Sequence, residues 1–308
     1  MSTPPSGVLV VDKPSGPTSH DAVERVRSVL GQPRAGHTGT LDPFATGALA
    51  VCLGKATRLA RFLSEGDKVY RATVRLGFAT TTDDRLGEPL GEARVVAAEP
   101  AAVQAACRAL TGALMQVPPL YSAKRVSGQR MYDLARQGVA VTREAVPVTV
   151  HALDVLGCTG DQVELEVRCS PGTYVRALAR DLGQALGVGG HLFELRRTRT
   201  GAFGLEHAVG WDDLAARGRE AVLPMSALLT DLPGVTVGRE GLAYLRNGRP
   251  LGRAQVRAGF PSAEPPPRLR VVDESGALLA LAVPRGFGAA VPGLPLEPVL
   301  HTDVVLLD

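Results

Sequence analysis

The first two-thirds of the chain mixes short apolar runs with segments of helical periodicity. Thr18 and Asp21 have the spacing of an acidic capping box, apolar residues follow at helical spacing, and Gly31 is a typical helix end. Continuous or alternating apolar runs predict strands in other segments. The predicted strands cover 8–11, 48–53, 68–76, 163–169 and 191–198.

Further helices are predicted at 57–63, at 100–110, and from Tyr174 to about Leu186, with Thr173 as the cap. Residues 36–47 show almost no periodicity and are predicted to form a loop. Because strands and helices follow one another without strict alternation, the pattern favours a mixed sheet of the α+β class over a doubly wound parallel sheet.

The pattern changes beyond about Leu232, where Gly and Pro become frequent and short strands are predicted at 269–272, 278–283 and 304–307. A chain of 308 residues exceeds what one core usually organises. We therefore expect two domains, 1–232 and a small, mostly β domain at 233–308. The second domain opens with an arginine-rich segment that is either plain solvated surface or a patch for RNA phosphates. Its basic residues are Arg239, Arg246, Arg249, Arg253 and Arg257.

Composition narrows the class of protein. The chain is 45% apolar and 21% charged, which argues against disorder, and no run of about 18 apolar residues predicts a membrane span. The start of the sequence lacks the features of a secretory signal, so a cytoplasmic protein with four reduced cysteines is expected. The net charge of +3 is carried mainly by arginine, which permits an RNA partner without requiring one.

The strongest candidate for chemistry is the loop 36–47, GHTGTLDPFATG. Its glycines allow close approach of the backbone to a ligand, and Pro43 restricts Asp42 to an extended conformation. Asp42 is therefore placed either as a nucleophile or as a simple turn cap. A phosphate-binding loop ending at Gly54 and Lys55 is excluded, because the motif requires a glycine at 49 and a serine or threonine at 56.

Several strings of the sequence together resemble the TruB family of bacterial tRNA pseudouridine-55 synthases. They are DKPSG at 12–16, GHTGTLDPFATG at 36–47, KVYR at 68–71, PPLYSAKRVSGQRMYDLARQG at 118–138, GTYVR at 172–176 and GHLFELRR at 190–197. The resemblance implies a mixed-sheet pseudouridine synthase domain with an RNA-binding insertion at about 118–147, followed by a PUA-like RNA-binding domain. It also implies conversion of uridine 55 in the tRNA T-loop to pseudouridine, without a cofactor or metal.

The resemblance assigns roles to individual residues. Asp42 is the expected nucleophile, Arg176 its positive partner, and Tyr70 the residue that stacks on the uracil and assists proton removal. His37 is expected to occupy the space that the flipped base leaves, because a base inside a folded loop must be extruded before reaction. The substrate-binding residues are expected to be His37, Leu195, Lys13, Arg58, Asp84, Tyr121 and Lys124. Tyr121 and Lys124 are included because aromatic and basic residues alternate there, as on RNA-binding surfaces. Outside the resemblance, His37 is equally a satisfied loop histidine, Lys13 plain surface and Tyr121 a core residue.

Two positions depart from the family pattern. Arg58 stands where a lysine is common, and Thr80 to Gly87 lacks the first of the family's acids. Asp84, which occupies the later acidic position of the family pattern, is expected to pair with Arg176.

Alternatives remain open at this point. The protein is expected to act as a monomer on the T-arm of tRNA, without an obligate protein partner. Two alternatives are a tRNA-folding protein with a vestigial loop, and an enzyme that needs a guide RNA and partner proteins. The chemical route stays open between attack at C6, attack at C1′ and a glycal intermediate.

Overall fold

The computed structural model describes residues 4–121, 143–262, 264–287 and 298–307, and the backbone of two short strands within 122–142. Its α-helices are α1 (Ser19–Leu30), α2 (Ala60–Leu63), α3 (Pro100–Ala109), α4 (Val175–Ala185), α5 (Leu214–Arg217) and α6 (Arg239–Arg246). No helix in the described part of the chain is long and apolar enough to cross a membrane.

The strands fall into two large sheets and two hairpins. They are β1 (Gly7–Lys13), β2 (Ala35–His37), β3 (Thr46–Leu53), β4 (Lys68–Leu76), β5 (Ala79–Thr80), β6 (Pro89–Leu90), β7 (Gly112–Gln116), β8 (Arg125–Val126), β9 (Gln129–Arg130), β10 (Val146–Thr159), β11 (Gln162–Cys169), β12 (Gly190–Thr200), β13 (Phe203–Gly204), β14 (Ala208–Gly210), β15 (Leu223–Pro224), β16 (Gly234–Val237), β17 (Val256–Ala258), β18 (Leu269–Val272), β19 (Leu278–Arg285) and β20 (Val299–Val305).

The first sheet is mixed, as the sequence predicted. Within the described residues its order is β14-β1-β3-β12-β4-β11-β10-β7, with β2, β13 and β15 paired at its margins. β1 runs parallel to β14 and β3 parallel to β12, whereas β4 pairs antiparallel with both β11 and β12. This arrangement brings the loop before β3, the beginning of β4 and the second half of β12 next to one another.

The predicted capping box is confirmed at the start of α1. Thr18 Oγ1 accepts a hydrogen bond from the Asp21 amide, and the Asp21 carboxylate accepts one from the Thr18 amide. Gly31 ends the helix with a φ of 59°, a left-handed conformation that favours glycine. The apolar face of α1 packs on alternate residues of β1, among them Leu9 and Val11.

The second sheet, β17-β16-β18-β19-β20, covers the other face of β1 and β3. Val8 and Val10 of β1 pack there in one buried cluster with Leu281 and Leu306. β1 is therefore buried on both faces, which explains its continuous apolar run. Polar contacts add to this packing, since Arg61 pairs with Asp303.

Four predictions of local structure need correction. Gly36 and His37 belong to β2, because they pair with β3, so the loop proper is shorter than 36–47. The predicted helix at 57–63 is a 3₁₀-helix over Gly54–Leu59 followed by α2. The strand predicted at 304–307 lies at Val299–Val305, because its polar centre pairs with β19 and interrupts the apolar pattern.

The fourth correction concerns the start of α4. Tyr174, not Thr173, is the residue before its first turn, and no side chain caps it. The Tyr174 amide instead donates to Oε1 of Gln116 at 2.8 Å, because β7 lies against this end of the helix. A distant residue thus satisfies a backbone donor for which the sequence suggested a local cap.

Candidate active site

The loop that carries Asp42 is attached to the start of α1. Ser19 Oγ accepts a hydrogen bond from the Leu41 amide at 2.8 Å and lies 3.0 Å from the Leu41 carbonyl, to which it donates. The Ala45 amide donates to the Asp42 carbonyl at 3.1 Å and closes a turn. These contacts fix the backbone on both sides of the carboxylate.

The Asp42 carboxylate forms a two-point ion pair with Arg176. Arg176 Nε lies 2.9 Å from Oδ2, and Nη2 lies 3.0 Å from Oδ1. Arg176 is in the first turn of α4 and its side chain is 7% exposed, against 31% for Asp42. The carboxylate is therefore the more accessible partner, oriented by a guanidinium that lies behind it.

Arg176 is itself held from the other side. Its Nη1 lies 3.3 Å from Oδ2 of Asp84 and donates to the Thr82 carbonyl at 3.2 Å, and its Nη2 donates to the Tyr121 carbonyl at 2.9 Å. The expected pairing of Asp84 with Arg176 is confirmed. Because Asp84 also accepts from Thr82 Oγ1 at 2.6 Å, it is well fixed although the family's first acid is missing.

The electrostatic balance around Asp42 follows from these contacts. Burial raises the pKa of Asp42, the Arg176 guanidinium opposes that rise, and the neighbouring Asp84 carboxylate adds to it. Removing either charged neighbour would therefore move the pKa of Asp42 in a direction set by the sign of that charge.

A cavity of about 620 Å³ opens beside this ion pair. Tyr70 of β4 and Leu195 of β12 form part of its wall, so four expected site residues meet there: Asp42, Tyr70, Arg176 and Leu195. Burial raises the pKa of the Tyr70 hydroxyl, which keeps it protonated. The cavity wall combines apolar side chains with one carboxylate, two tyrosine rings (Tyr70 and Tyr174) and basic groups, a suitable lining for a flat polar base.

Other expected site residues lie outside this cavity. Lys13 is fully buried and donates to the carbonyls of Pro14 (2.8 Å), Pro17 (2.8 Å) and Pro43 (3.2 Å), so its ammonium has no free surface for a phosphate. Arg58 donates to the Val305 carbonyl at 2.7 Å and so contacts β20 of the second sheet.

Three expected residues have yet other surroundings. His37 is half-buried in β2, where burial lowers its pKa and its Nδ1 has no hydrogen-bond partner. Asp84 lies behind Arg176 rather than on the cavity wall, and Tyr121 reaches the site through its carbonyl group. Lys124 lies outside the described residues.

Two basic residues of the cavity wall were not expected from the sequence. Arg197 of β12 is 1% exposed, and Lys68 of β4 donates to the carbonyls of Ser64 and Gly66. Both residues lie in strings that resemble the family, KVYR at 68–71 and GHLFELRR at 190–197, but neither string indicates which of Arg196 and Arg197 points inward. Within the described residues no group of three His, Cys, Asp or Glu side chains could hold a metal ion.

Comparison with known proteins identifies relatives of the chain. Residues 27–175 match the model of the TruB family pseudouridylate synthase N-terminal domain, and residues 176–230 match the tRNA pseudouridylate synthase B C-terminal domain. Two proteins named tRNA pseudouridine synthase B are closely similar. The one from Aromatoleum aromaticum is 46% identical over 82% of this chain and 83% of its own, and the one from Thermobifida fusca is 54% identical over 68% and 74%.

Solved structures show the same fold. An H/ACA RNP bound to a substrate RNA containing 2′-deoxyuridine contains a chain with a TM-score of 0.72 and 26% identity, over 98% of this chain and 85% of that one. A Cbf5-Nop10-Gar1 complex gives a TM-score of 0.71 and 29% identity over the same shares.

Proposed function

The chain belongs to the TruB family of pseudouridylate synthases, and from this premise we propose that it converts uridine 55 in the T-loop of tRNA to pseudouridine. The activity of the family, tRNA pseudouridylation, extends to this chain because its curated relatives carry that activity in their names. The observation that best supports a working enzyme is the two-point pairing of Arg176 with Asp42 at the wall of the cavity.

The reaction is an isomerisation that needs no external reactant. The C1′–N1 bond of uridine breaks, the uracil turns, and a C1′–C5 bond forms, while C5 loses a proton and N1 gains one. In our proposal the target base is flipped into the cavity, where its ring faces Tyr70 and Leu195. Asp42 acts as the nucleophile, and Arg176 keeps its carboxylate ionised against the effect of burial.

We further propose that residues 233–308 form a second RNA-binding unit. Arg249 stacks on the ring of Tyr244 at 3.9 Å, and Arg253 lies over Phe260 at 5.0 Å. The two guanidinium groups are exposed while their rings are half-buried, and an exposed guanidinium held in this way can pair with phosphate and stack on a base. The unit packs against the catalytic sheet through β19, so it would extend one RNA-binding surface.

We also propose that the protein acts alone and as a monomer, in the cytoplasm where tRNA is modified. The chains of similar fold from an H/ACA RNP, a Cbf5-Nop10-Gar1 complex and a Nop10-Cbf5 complex are 25–29% identical to this chain, whereas the relatives named tRNA pseudouridine synthase B are 43–54% identical, which supports the comparison with the second group.

The test is direct. Purified protein is incubated with an unmodified T-arm stem-loop, and pseudouridine is mapped by reverse transcription after carbodiimide treatment. We expect pseudouridine at position 55 alone, and none in a stem-loop with cytidine at that position. Tight binding without product would favour the tRNA-folding alternative, and a requirement for added proteins would contradict stand-alone action.

A further inference from the structure

Arg197 is a buried cation that makes three hydrogen bonds at or beside the loop that carries Asp42. This loop, residues 38–45 between β2 and β3, is called the nucleophile loop below. Arg197 Nε donates to the Ala48 carbonyl at 2.8 Å, Nη2 to the Gly39 carbonyl at 3.0 Å, and Nη1 to the Thr40 carbonyl at 3.3 Å. The first acceptor lies in β3, after the loop, and the other two lie before Asp42. A single planar group thus connects the two ends of the segment that presents the carboxylate.

The backbone of Arg197 is equally close to this loop. β12 runs parallel to β3 with Arg197 opposite Gly47, whose φ is 104°. A Cβ added at Gly47 would lie 2.2 Å from the Arg197 carbonyl oxygen, so any larger residue would push the two strands apart. The glycine at the end of the loop is therefore required by the approach of Arg197.

The same guanidinium acts on Tyr70. Burial raises the pKa of the Tyr70 hydroxyl, and the nearby charge of Arg197 opposes that rise. Tyr70 and Arg197 are register partners across β4 and β12, and both line the cavity. Arg197 therefore contacts the loop that carries Asp42 and is the strand neighbour of Tyr70, and in the proposed function both of these side chains meet the same base.

A buried guanidinium normally has a carboxylate partner, because removing an unpaired charge from water is costly. Among the described residues no carboxylate is in salt-bridge contact with Arg197, and its guanidinium donates to three main-chain carbonyl groups. A lysine would supply the same charge at this place but not three donors in one plane. The planar arrangement of the guanidinium donors, and not the positive charge alone, is therefore what holds the loop in place.

We propose that Arg197 is a positioning residue for the isomerisation. It holds the nucleophile loop, and with it Asp42, in a fixed position relative to Tyr70. This proposal rests on the proposed function, since its consequence is a slower chemical step on a bound base. A displacement of about 1 Å at a reacting centre costs about 100-fold in rate. Binding of the stem-loop, which involves a much larger surface, is expected to stay unchanged.

The experiment compares Arg197→Gln and Arg197→Lys with Arg199→Gln. Arg199 lies in the same strand but pairs with Glu206 at the surface, so its variant is the matched control. Single-turnover rate, stem-loop affinity and thermal midpoint are measured for each. We expect both Arg197 variants to lose about 100-fold in rate with unchanged affinity, and the control to match the parent protein.

Three outcomes would overturn the proposal. A parental rate in Arg197→Lys would mean that charge alone suffices, and a parental rate in Arg197→Gln would mean that Arg197 has only a structural role. A loss of affinity equal to the loss of rate would make Arg197 an RNA-binding residue. If Arg197→Gln fails to fold, Arg197→Lys is combined with Tyr70→Phe in a double variant. The fold-loss of rate in the double variant should then be smaller than the product of the two single losses.

Hydrogen exchange separates this proposal from the proposed function. The amides of Leu41 and Ala45, which are hydrogen-bonded in the parent protein, should exchange faster in Arg197→Lys, whether or not the chain is active on tRNA. An inactive parent protein would refute the function, whereas unchanged exchange in the variant would refute the positioning role.

Discussion

Arg176 contacts Asp42 through both Nε and Nη2, at 2.9 and 3.0 Å, while its third nitrogen reaches Asp84 at 3.3 Å. One guanidinium therefore lies between two carboxylates of unequal exposure. Asp84 is 7% exposed and fixed by the Thr82 hydroxyl, so it orients Arg176 from behind. Asp42 is the one left accessible from the cavity.

Replacing Asp42 by asparagine should stop the reaction and leave RNA binding intact. The amide keeps the size of the side chain and can still accept a hydrogen bond from Arg176, but it is no nucleophile. We expect a loss of rate on the order of 10⁴-fold or more, measured as pseudouridine formed in the T-arm stem-loop.

The control for this variant is Asp67→Asn, because Asp67 pairs with His151 and Arg168 at the surface, outside the catalytic ion pairs. Pseudouridine formation at the parental rate by Asp42→Asn would refute Asp42 as the nucleophile.

Replacing Asp84 by asparagine should change both the rate and its pH dependence. Asp84 adds to the burial effect that raises the pKa of Asp42, and it also shares the charge of Arg176. Without it the pKa of Asp42 falls, so the acid limb of the rate profile should move to lower pH. Because Arg176 loses one of its supports, the maximal rate should fall by roughly tenfold, as for a lost buried hydrogen bond to a charged group.

Glu88→Gln serves as the comparison, since Glu88 is exposed in the same segment. An acid limb that stays in place, or moves to higher pH, would contradict the assigned electrostatics.

Removing the Arg58 side chain should affect the contact between the two domains and not catalysis. Arg58 donates to the Val305 carbonyl at an exposed site, so Arg58→Ala should cost about 0.5–1.5 kcal/mol of stability. With a minimal stem-loop that reaches only the cavity, its KM should equal that of the parent protein. A large rise in KM would restore the substrate-binding role that the sequence suggested.

Local signals account for what the sequence could predict. The capping box of α1 joins Thr18 to Asp21, and the strand at 68–76 has bounds set by simple alternation, so both were found. The site residues Asp42, Tyr70 and Arg176 came from strings that resemble a family, and spacing alone would not have joined positions 42 and 176.

The surroundings of Lys13 and Arg197 were not predicted, because they depend on contacts between residues that are far apart in the sequence. Lys13 was expected to contact RNA, but one of its acceptors is 30 residues away on the nucleophile loop. Arg197 lies in the family-like string at 190–197, but its contacts could not be predicted, because its carbonyl acceptors lie 149 to 158 residues before it. A buried cation bonded to main-chain carbonyls leaves no pattern in a sequence, since any residue supplies the acceptor.

The buried state of Lys13 predicts a distinctive dependence of stability on pH. Burial lowers its pKa from 10.5 to about 8, with the Asp42 carboxylate as the main opposing charge. Between these two values the unfolded chain keeps a proton on Lys13 that the folded chain has lost. Stability attributable to Lys13 must therefore increase as the pH rises from about 8 to 10.5, by up to about 3 kcal/mol.

The measurement compares the free energy of unfolding of the parent protein and of Lys13→Met by urea titration across that pH range. Taking the difference removes the titration of tyrosines and cysteines, which both chains share. We expect the parent protein to gain stability relative to the variant as the pH rises. A difference that stays constant would mean that the pKa of Lys13 is not lowered in the folded state. A difference that falls would mean that the neighbouring Asp42 carboxylate outweighs the effect of burial; either result would contradict the lowered pKa.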